Sequence, residues 1–270
     1  MSGIGGVPGG GEVNPRIITE PKVYLVGRQQ IDMAAIEAFL ADEQATWQTD
    51  TEVGAERLVE AAGRLCYMSY GKGRKSNQEY LGHILEVGHG SVLEHAVWNF
   101  IITGVSRSFT HELVRHRAGF GYSQLSQRYV DESETDFVEP AVIASDPALH
   151  QIWLRTIGEA HSAYMELSAG LAERFVDVED KTLRRKLARQ AARSVLPNAT
   201  ETKIFVTANA RALRHFIELR CNEHAETEIR VVAEQILRLL QNESPSIFSD
   251  YELVKLPDGT HEARTDHRKV

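Results

Sequence analysis

Residues 95–130 read "HAVWNFIITGVSRSFTHELVRHRAGFGYSQLSQRYV". The first part, residues 95–105, is dense in aromatic and β-branched side chains and predicts a strand. Residues 107–117 carry apolar side chains at helical intervals and predict a helix that stops before Gly119. Gly119 and Gly121 then mark a turn, and "QRYV" reads as extended chain. A strand that runs straight into a helix and then returns as extended chain points to an α+β fold.

The same stretch is chemically unusual. Arg115, His116 and Arg117 are followed by Ser123, Gln124, Ser126, Gln127 and Arg128, in a chain whose net charge is -8. Cations in the last turn of a helix complement its dipole. That accounts for one or two charges, but not for the donor-rich residues that follow. Arginine presents planar paired donors that suit a phosphate, a uracil edge or a flavin edge. Glycine lets backbone approach a ligand closely. We read this segment as a binding site for small anionic ligands.

Outward from this segment, "KVYLVG" (22–27) is a short strand, and "QIDMAAIEAFLADEQ" and "AERLVEAAGRLCYM" have helical spacing. "SNQEYLGHILEVG" opens on the N-cap Ser76 and closes at Gly88, and "FVEP" is extended. A long helix runs from about Pro147 to Phe175, then a basic helix, "KTLRRKLARQAARSVL", closed by Pro197. "TKIFVTAN" is strand-like, and two helices, "ARALRHFIELR" and "AETEIRVVAEQILRLLQN", follow, with Asn222 available to cap the second. Strands are few among many helices. The expectation is one α+β domain over 22–252, with a modest, mostly antiparallel sheet and several packed helices. Residues 1–21 read as a flexible leader and 253–270 as a polar tail.

The chain has 270 residues, 42% of them hydrophobic, enough for a sizeable core. An acidic chain argues against a coat for nucleic-acid polymers. No run of about 18 apolar residues suggests a membrane span, and no signal peptide is visible. Two cysteines, Cys66 and Cys221, cannot build a disulfide framework and fit reduced thiols in the cytoplasm.

Other constellations are weaker. "HELVRH" misses the H-E-x-x-H zinc motif by one residue, and His111 and His116 lie about 140° apart on a helix, so no metal site is expected. Cys221 follows Arg220, and an adjacent cation can lower a thiol pKa, but isolated cysteines are more often packing residues. "GHGSVLEH" (88–95) is either a strand entry with Ser91 in a turn or a set of donors at a ligand edge. Arg211 and His215 share one helix face, with Arg220 about 140° round from His215, so the helix could serve two ligands or be a solvated basic face.

Three blocks, "GHGSVLEH", "ELVRHRAGFGYSQLSQRYV", and "ARSVLP" with "NARALRHFIELRCNEH", together resemble the flavin-dependent thymidylate synthases. The resemblance spans roughly residues 22–250. It implies methylation of dUMP at C5 to dTMP, with 5,10-methylenetetrahydrofolate as carbon donor, FAD as cofactor and NADPH as reductant. It also implies a homotetramer whose sites are shared between subunits, and chemistry without a cysteine nucleophile. By resemblance Arg220 activates the pyrimidine. Ser91, Arg115, His116, Arg117, Gln124, Asn209, Arg211 and His215 match flavin positions, the Arg115–Arg117 triplet and Arg211 serving as cations around the ring. Glu112, Leu113, Val114, Arg115, Gln124, Leu125, Ser126, Gln127, Arg128, Arg193 and Arg220 match nucleotide positions. One departure stands out. The family places seven residues between Arg-His-Arg and the serine, and this chain has eight, 118–125. Two other classes are separable from a synthase by a visible spectrum or turnover: a ligand-binding protein of this fold without activity, and a nucleic-acid-binding module.

Overall fold

The computed structural model describes residues 16–270; the expected leader falls largely on residues 1–15, outside the described residues. In chain order, β1 (Ile17–Ile18) and β2 (Lys22–Arg28) precede three helices, α1 (Met33–Asp42), α2 (Gly54–Cys66) and α3 (Asn77–Glu86). A 3₁₀ turn at Gly90–His95 leads into β3 (Val97–Ser106), α4 (Arg107–Leu113) and β4 (Phe120–Gln124). β5 (Phe137–Val138), α5 (Ala141–Ala144), α6 (Pro147–Arg174) and α7 (Lys181–Ala192) follow. The chain closes with β6 (Glu201–Asn209), α8 (Ala210–Arg220), α9 (Thr227–Glu243), α10 (Pro245–Phe248), β7 (Glu252–Lys255) and β8 (His261–Arg264).

The residues form two compact units. The larger comprises Glu20–Leu125 and Thr202–Val270. Its four-stranded sheet has the order β2-β3-β6-β4, with β2 antiparallel to β3 and β4 antiparallel to β6. β3 alternates between half-buried and buried positions, so Trp98, Phe100 and Ile102 enter the core, where Phe216, Leu237 and Phe248 also sit. The two helices that directly follow β3 and β6 carry a chemical start signal. Ser106 caps α4 through Phe109 N–H, and Asn209 caps α8 through Ala212 N–H. The smaller unit comprises residues up to Thr19 and Ser126–Glu201. Here β1 pairs in parallel with β5, and Asp146 and Asp180 cap α6 and α7, which pack together around Ile157, Tyr164 and Ala188.

Several local expectations are corrected. The helix expected over 107–117 ends at Leu113, where Arg115 N–H turns back to the Glu112 carbonyl (3.3 Å) and His116 N–H to the Leu113 carbonyl (3.1 Å). The single proton of the Tyr122 phenol is shared between the Leu113 (2.9 Å) and His116 (2.7 Å) carbonyls. "QRYV" is a turn rather than extended chain, since the Ser126 carbonyl accepts from both Tyr129 and Val130 N–H. Asn222 does not cap α9; its side chain takes His224 N–H, and Glu226 stands at the N-cap. The stop expected at Gly88 holds: α3 ends at Glu86, and Gly88, at φ +70°, closes it, with its N–H on the Leu85 carbonyl (3.2 Å) and His89 N–H on the Ile84 carbonyl (3.0 Å). Residues 253–270 are not a solvated tail. They contain most of the antiparallel hairpin β7–β8, and Val270 lies in the main core. Ile17 and Ile18, expected in a leader, are strand.

Candidate active site

The strand-to-helix crossings put the charged residues of the larger unit in one place. α4 and the turn after it deliver Glu112, Arg115, His116 and Arg117, and α8 delivers His215 and Arg220. Arg115, His116, Arg117, Ala118, Phe120, Ala212, His215, Leu219 and Arg220 line a cavity of about 270 Å³. Arg220 is the last residue of α8, where a cation faces the negative end of the dipole. Its Nη1 donates to Glu112 Oε2 (2.5 Å), and its Nε donates to His116 Nε2 (3.0 Å). Among the described residues its Nη2 has no hydrogen-bond partner. The guanidinium is thus held through Nε and Nη1, and Nη2, between them, keeps its donors. Arg220 and His215, expected about 140° apart round the helix, line the same cavity.

His116 was expected as a cation and is not one. It is 8% exposed, and burial, then the Arg220 charge, then His215 lower its pKa from 6.5 to about 4. At neutral pH it is an uncharged ring. Nε2 accepts from Arg220, so its proton resides on Nδ1. Phe120, Phe216 and His215 surround the ring. Glu226, a residue that sequence reasoning missed, hydrogen-bonds Glu112; desolvation and then this contact raise the Glu226 carboxyl pKa. Only its place at the N-terminus of α9 hinted at it.

The turn before β4 depends on one glycine. Gly119 has φ +74°, and a Cβ there would stand 2.7 Å from Ala212 Cβ and from Asn209 Nδ2. Phe120 N–H closes the turn on the Arg117 carbonyl (3.2 Å). From Phe120 to Gln124 the register against β6 is unbroken, so the extra residue of this chain is accommodated without a bulge in the strand.

Not every expected residue reaches the cavity. The Leu113 side chain is core, and its carbonyl is taken by Tyr122. Val114 is exposed, and Leu125 bonds the Lys203 carbonyl through its N–H. The Gln124 amide reaches Thr110 (3.2 Å) and Thr202 (3.3 Å). Asn209 Oδ1 is used as the α8 cap. Arg211 pairs with Glu94 (2.6 Å) of the turn that carries Ser91. Ser126, Gln127, Arg128 and Arg193 belong to the smaller unit. There Gln127 is buried, Arg193 caps α7, and Arg128 lies over the Tyr129 ring at 5.7 Å. Lys186 sits 4.9 Å from the same ring; its hydrogen bond to the phenol, then its charge, lower the Tyr129 pKa. Tyr129 and Lys186 are a second omission of the sequence reading. The signal for Tyr129 was its place directly after Arg128.

The Cys221 thiol is not a nucleophile in waiting. Cys221 is fully buried, and burial above all pushes its pKa up to about 12. Among the described residues no group of three or more His, Cys, Asp or Glu gathers as a metal site, and no helix is long and apolar enough to cross a membrane.

Residues 49–246 match the model of the thymidylate synthase complementing protein family. The chain belongs to this family. The flavin-dependent thymidylate synthase of Mycolicibacterium vanbaalenii is 51% identical over 237 residues, covering 87% of this chain and 94% of that protein. The enzyme of the same name from Mycobacterium tuberculosis is 50% identical over the same shares. A solved structure of the UMP/dUMP methylase PolB from Streptomyces cacaoi, bound with 5-Br UMP, has the same fold. It matches at a TM-score of 0.62 and 22% identity, over 87% of this chain and 95% of that one. As a member of the thymidylate synthase complementing protein family, the chain is an enzyme.

Proposed function

We propose that this chain reductively methylates dUMP to dTMP, with 5,10-methylenetetrahydrofolate as carbon donor and NADPH as reductant of bound FAD, in the cytoplasm. The observation that carries this reading is Arg220, which lines the cavity and is held through Nε and Nη1 by a neutral His116 and Glu112, with Nη2 not engaged. The relatives' shared name and the bromouracil nucleotide bound by PolB support it.

The donor set fits a flavin. Arg115 and Arg117 line the cavity and have no carboxylate partner among the described residues, and cations beside a flavin favour its anionic reduced form. These residues, with His215, Ser91 and Arg211, would hold the cofactor. When bound, FAD supplies the hydride that completes the methyl group. Gln124 and Asn209, already engaged in the protein, would contribute through their remaining polar atoms.

The chain's own chemistry is electrostatic. Uracil C5 becomes nucleophilic when the ring gains electron density, and loss of the N3 proton provides it. A guanidinium fixed in advance stabilises that anion without reorganising at the moment of reaction. Glu112 and His116 do the fixing. A neutral His116 adds no second positive charge to weaken the hold on Arg220. Ser126, Arg128 and Arg193 would grip phosphate and ribose, with Glu112, Leu113, Val114, Arg115, Gln124, Leu125 and Gln127 as further nucleotide contacts. Tritium release from C5-labelled dUMP, in the presence of FAD, NADPH and methylenetetrahydrofolate, tests the reading. Release that stops when any one component is omitted is expected; none with all present removes it.

A further inference from the structure

The segment after β8 is fixed by more polar contacts than a connecting strand needs. Arg214, 0% exposed, donates Nη1 to the Ile247 carbonyl (2.6 Å) and to Asp250 Oδ1 (2.7 Å). Its Nη2 donates to Asp250 Oδ2 (2.7 Å) and to the His267 carbonyl (3.1 Å). Thr265 Oγ1 donates to the same Asp250 carboxylate (2.5 Å), and Lys269 N–H donates to both oxygens of Glu218 (3.0 and 3.2 Å). Burying a guanidinium is costly unless it is paired. Here Nη1 and Nη2 are paired and Nε has no hydrogen-bond partner among the described residues, and the surrounding contacts link α8, the turn after α10 and residues 265–269.

The segment leads to Val270, which is 5% exposed. A Cβ on Gly90 would stand 2.5 Å from the Val270 carbonyl carbon, 3.3 Å from its oxygen and 3.0 Å from Arg211 Nε. Three separate parts of the chain therefore meet at a point that has no room for a methyl group. Gly90 opens the turn that carries Ser91 and Glu94, and Glu94 holds Arg211 Nη1.

We infer that Val270 is a positioning residue for the flavin site, bracing Arg211 and the Gly90–His95 turn against each other. Glu94 and Val270 together fix the Arg211 guanidinium, so that its remaining donors are presented in one orientation. This rests on the reading of Arg211 as a flavin-binding residue.

The test compares Arg211→Ala, deletion of Val270, Gly90→Ala, and Gly90→Ala combined with the deletion. FAD affinity is read by flavin fluorescence, the unfolding midpoint on flavin-free protein, and kcat at saturating FAD. Loss of an orienting partner costs a binding group roughly tenfold or more in affinity. About that weakening is expected for the deletion and for Gly90→Ala, with kcat at saturating FAD unchanged. The combined variant binds FAD no more weakly than Gly90→Ala alone, because removing Val270 vacates the space the new methyl needs. Losses that multiply in the combined variant overturn the inference, because they describe two independent destabilisations. If Arg211→Ala keeps wild-type FAD affinity, the reading of Arg211 fails and the inference fails with it. If Arg211→Ala weakens binding while deletion of Val270 does not, that reading stands and the inference alone is overturned. Should the deletion not fold, Val270→Ala decides: weaker FAD binding by the folded protein is expected, and unchanged affinity overturns the role.

Discussion

Arg220 and His116 form a unit in which each residue decides what the other can do. The Arg220 charge helps keep His116 neutral, and the neutral His116 gives Arg220 an acceptor. Arg220→Ala removes one preorganised donor set, which typically costs about a hundredfold to a thousandfold in turnover. It should retain FAD and lose methyl transfer. Arg220→Lys should recover only part, because a point charge cannot satisfy Glu112 and His116 and still present a further planar donor. Turnover of dUMP measured beside flavin content checks both; near wild-type turnover in Arg220→Ala moves the activating charge elsewhere. His116 also leaves a mark on stability. Its folded pKa of about 4 lies below its ordinary 6.5, so between these values the unfolded chain binds the extra proton. The contribution is fully present above pH 6.5, falls as pH drops toward 4, and is constant below. Urea midpoints of wild type and His116→Gln, taken from pH 7 to 4.5, should differ in slope, with wild type losing more. Parallel curves would show that His116 titrates normally.

At the scale of elements, β3 and the start of α4 were legible because their signals, a β-branched and aromatic run and helical spacing, are local. β4 was not: Gly119 and Gly121 read as a turn, yet Phe120–Gln124 is strand, paired with β6 80 or more residues away in sequence. How α4 ends was not legible either. The phenol of Tyr122 lies nine residues beyond Leu113 in sequence and six beyond His116, and its one proton is shared between their carbonyls. Tyr122→Phe removes that donor, chiefly from the His116 carbonyl, since the Leu113 carbonyl keeps His116 N–H, at about 1–3 kcal/mol for a buried group. A lower denaturation midpoint with an unchanged denaturant slope is expected, together with weaker FAD retention, since Arg115 to Arg117 hang on this turn. A midpoint equal to wild type would show that this bond does not hold the turn. The "QRYV" turn was missed for a similar reason: its four residues have no pattern of their own and take their shape from one carbonyl of Ser126. The hairpin after α10 was missed because its composition is polar while its anchor, Arg214, lies on α8. Within the site, the Arg-His-Arg triplet and Arg220 were legible from the family blocks. The contact between His116 and Arg220 was not, because 104 residues separate them.

For the whole molecule, the proposed ligand-binding residues divide between the two units. Arg115, His116, Arg117 and Arg220 lie in the larger, and Ser126, Arg128 and Arg193 in the smaller. Each unit also exposes large apolar side chains, with Tyr67 70% exposed in the larger and Val142 and Val176 75% and 61% exposed in the smaller. Such residues are candidates for contact between copies. The proposed homotetramer with shared sites would use both features, since copies could cover these side chains and bring the two residue groups to one nucleotide. Two variants, each expected to be inactive, separate shared sites from self-contained ones. Arg220→Ala would lack the proposed activating charge, and Arg128→Ala the proposed phosphate contact. Unfolded, mixed in equal amounts and refolded together, they recombine at random. If Arg220 and Arg128 of one site come from different chains, about a quarter of the sites receive both native residues by random assembly of a symmetric oligomer. Turnover should therefore return to about a quarter of the wild-type value, at a light-scattering mass near four times the 30.2 kDa chain. If both residues serve the site from one chain, no mixture restores activity. An active species at the mass of a single chain would remove the shared site altogether.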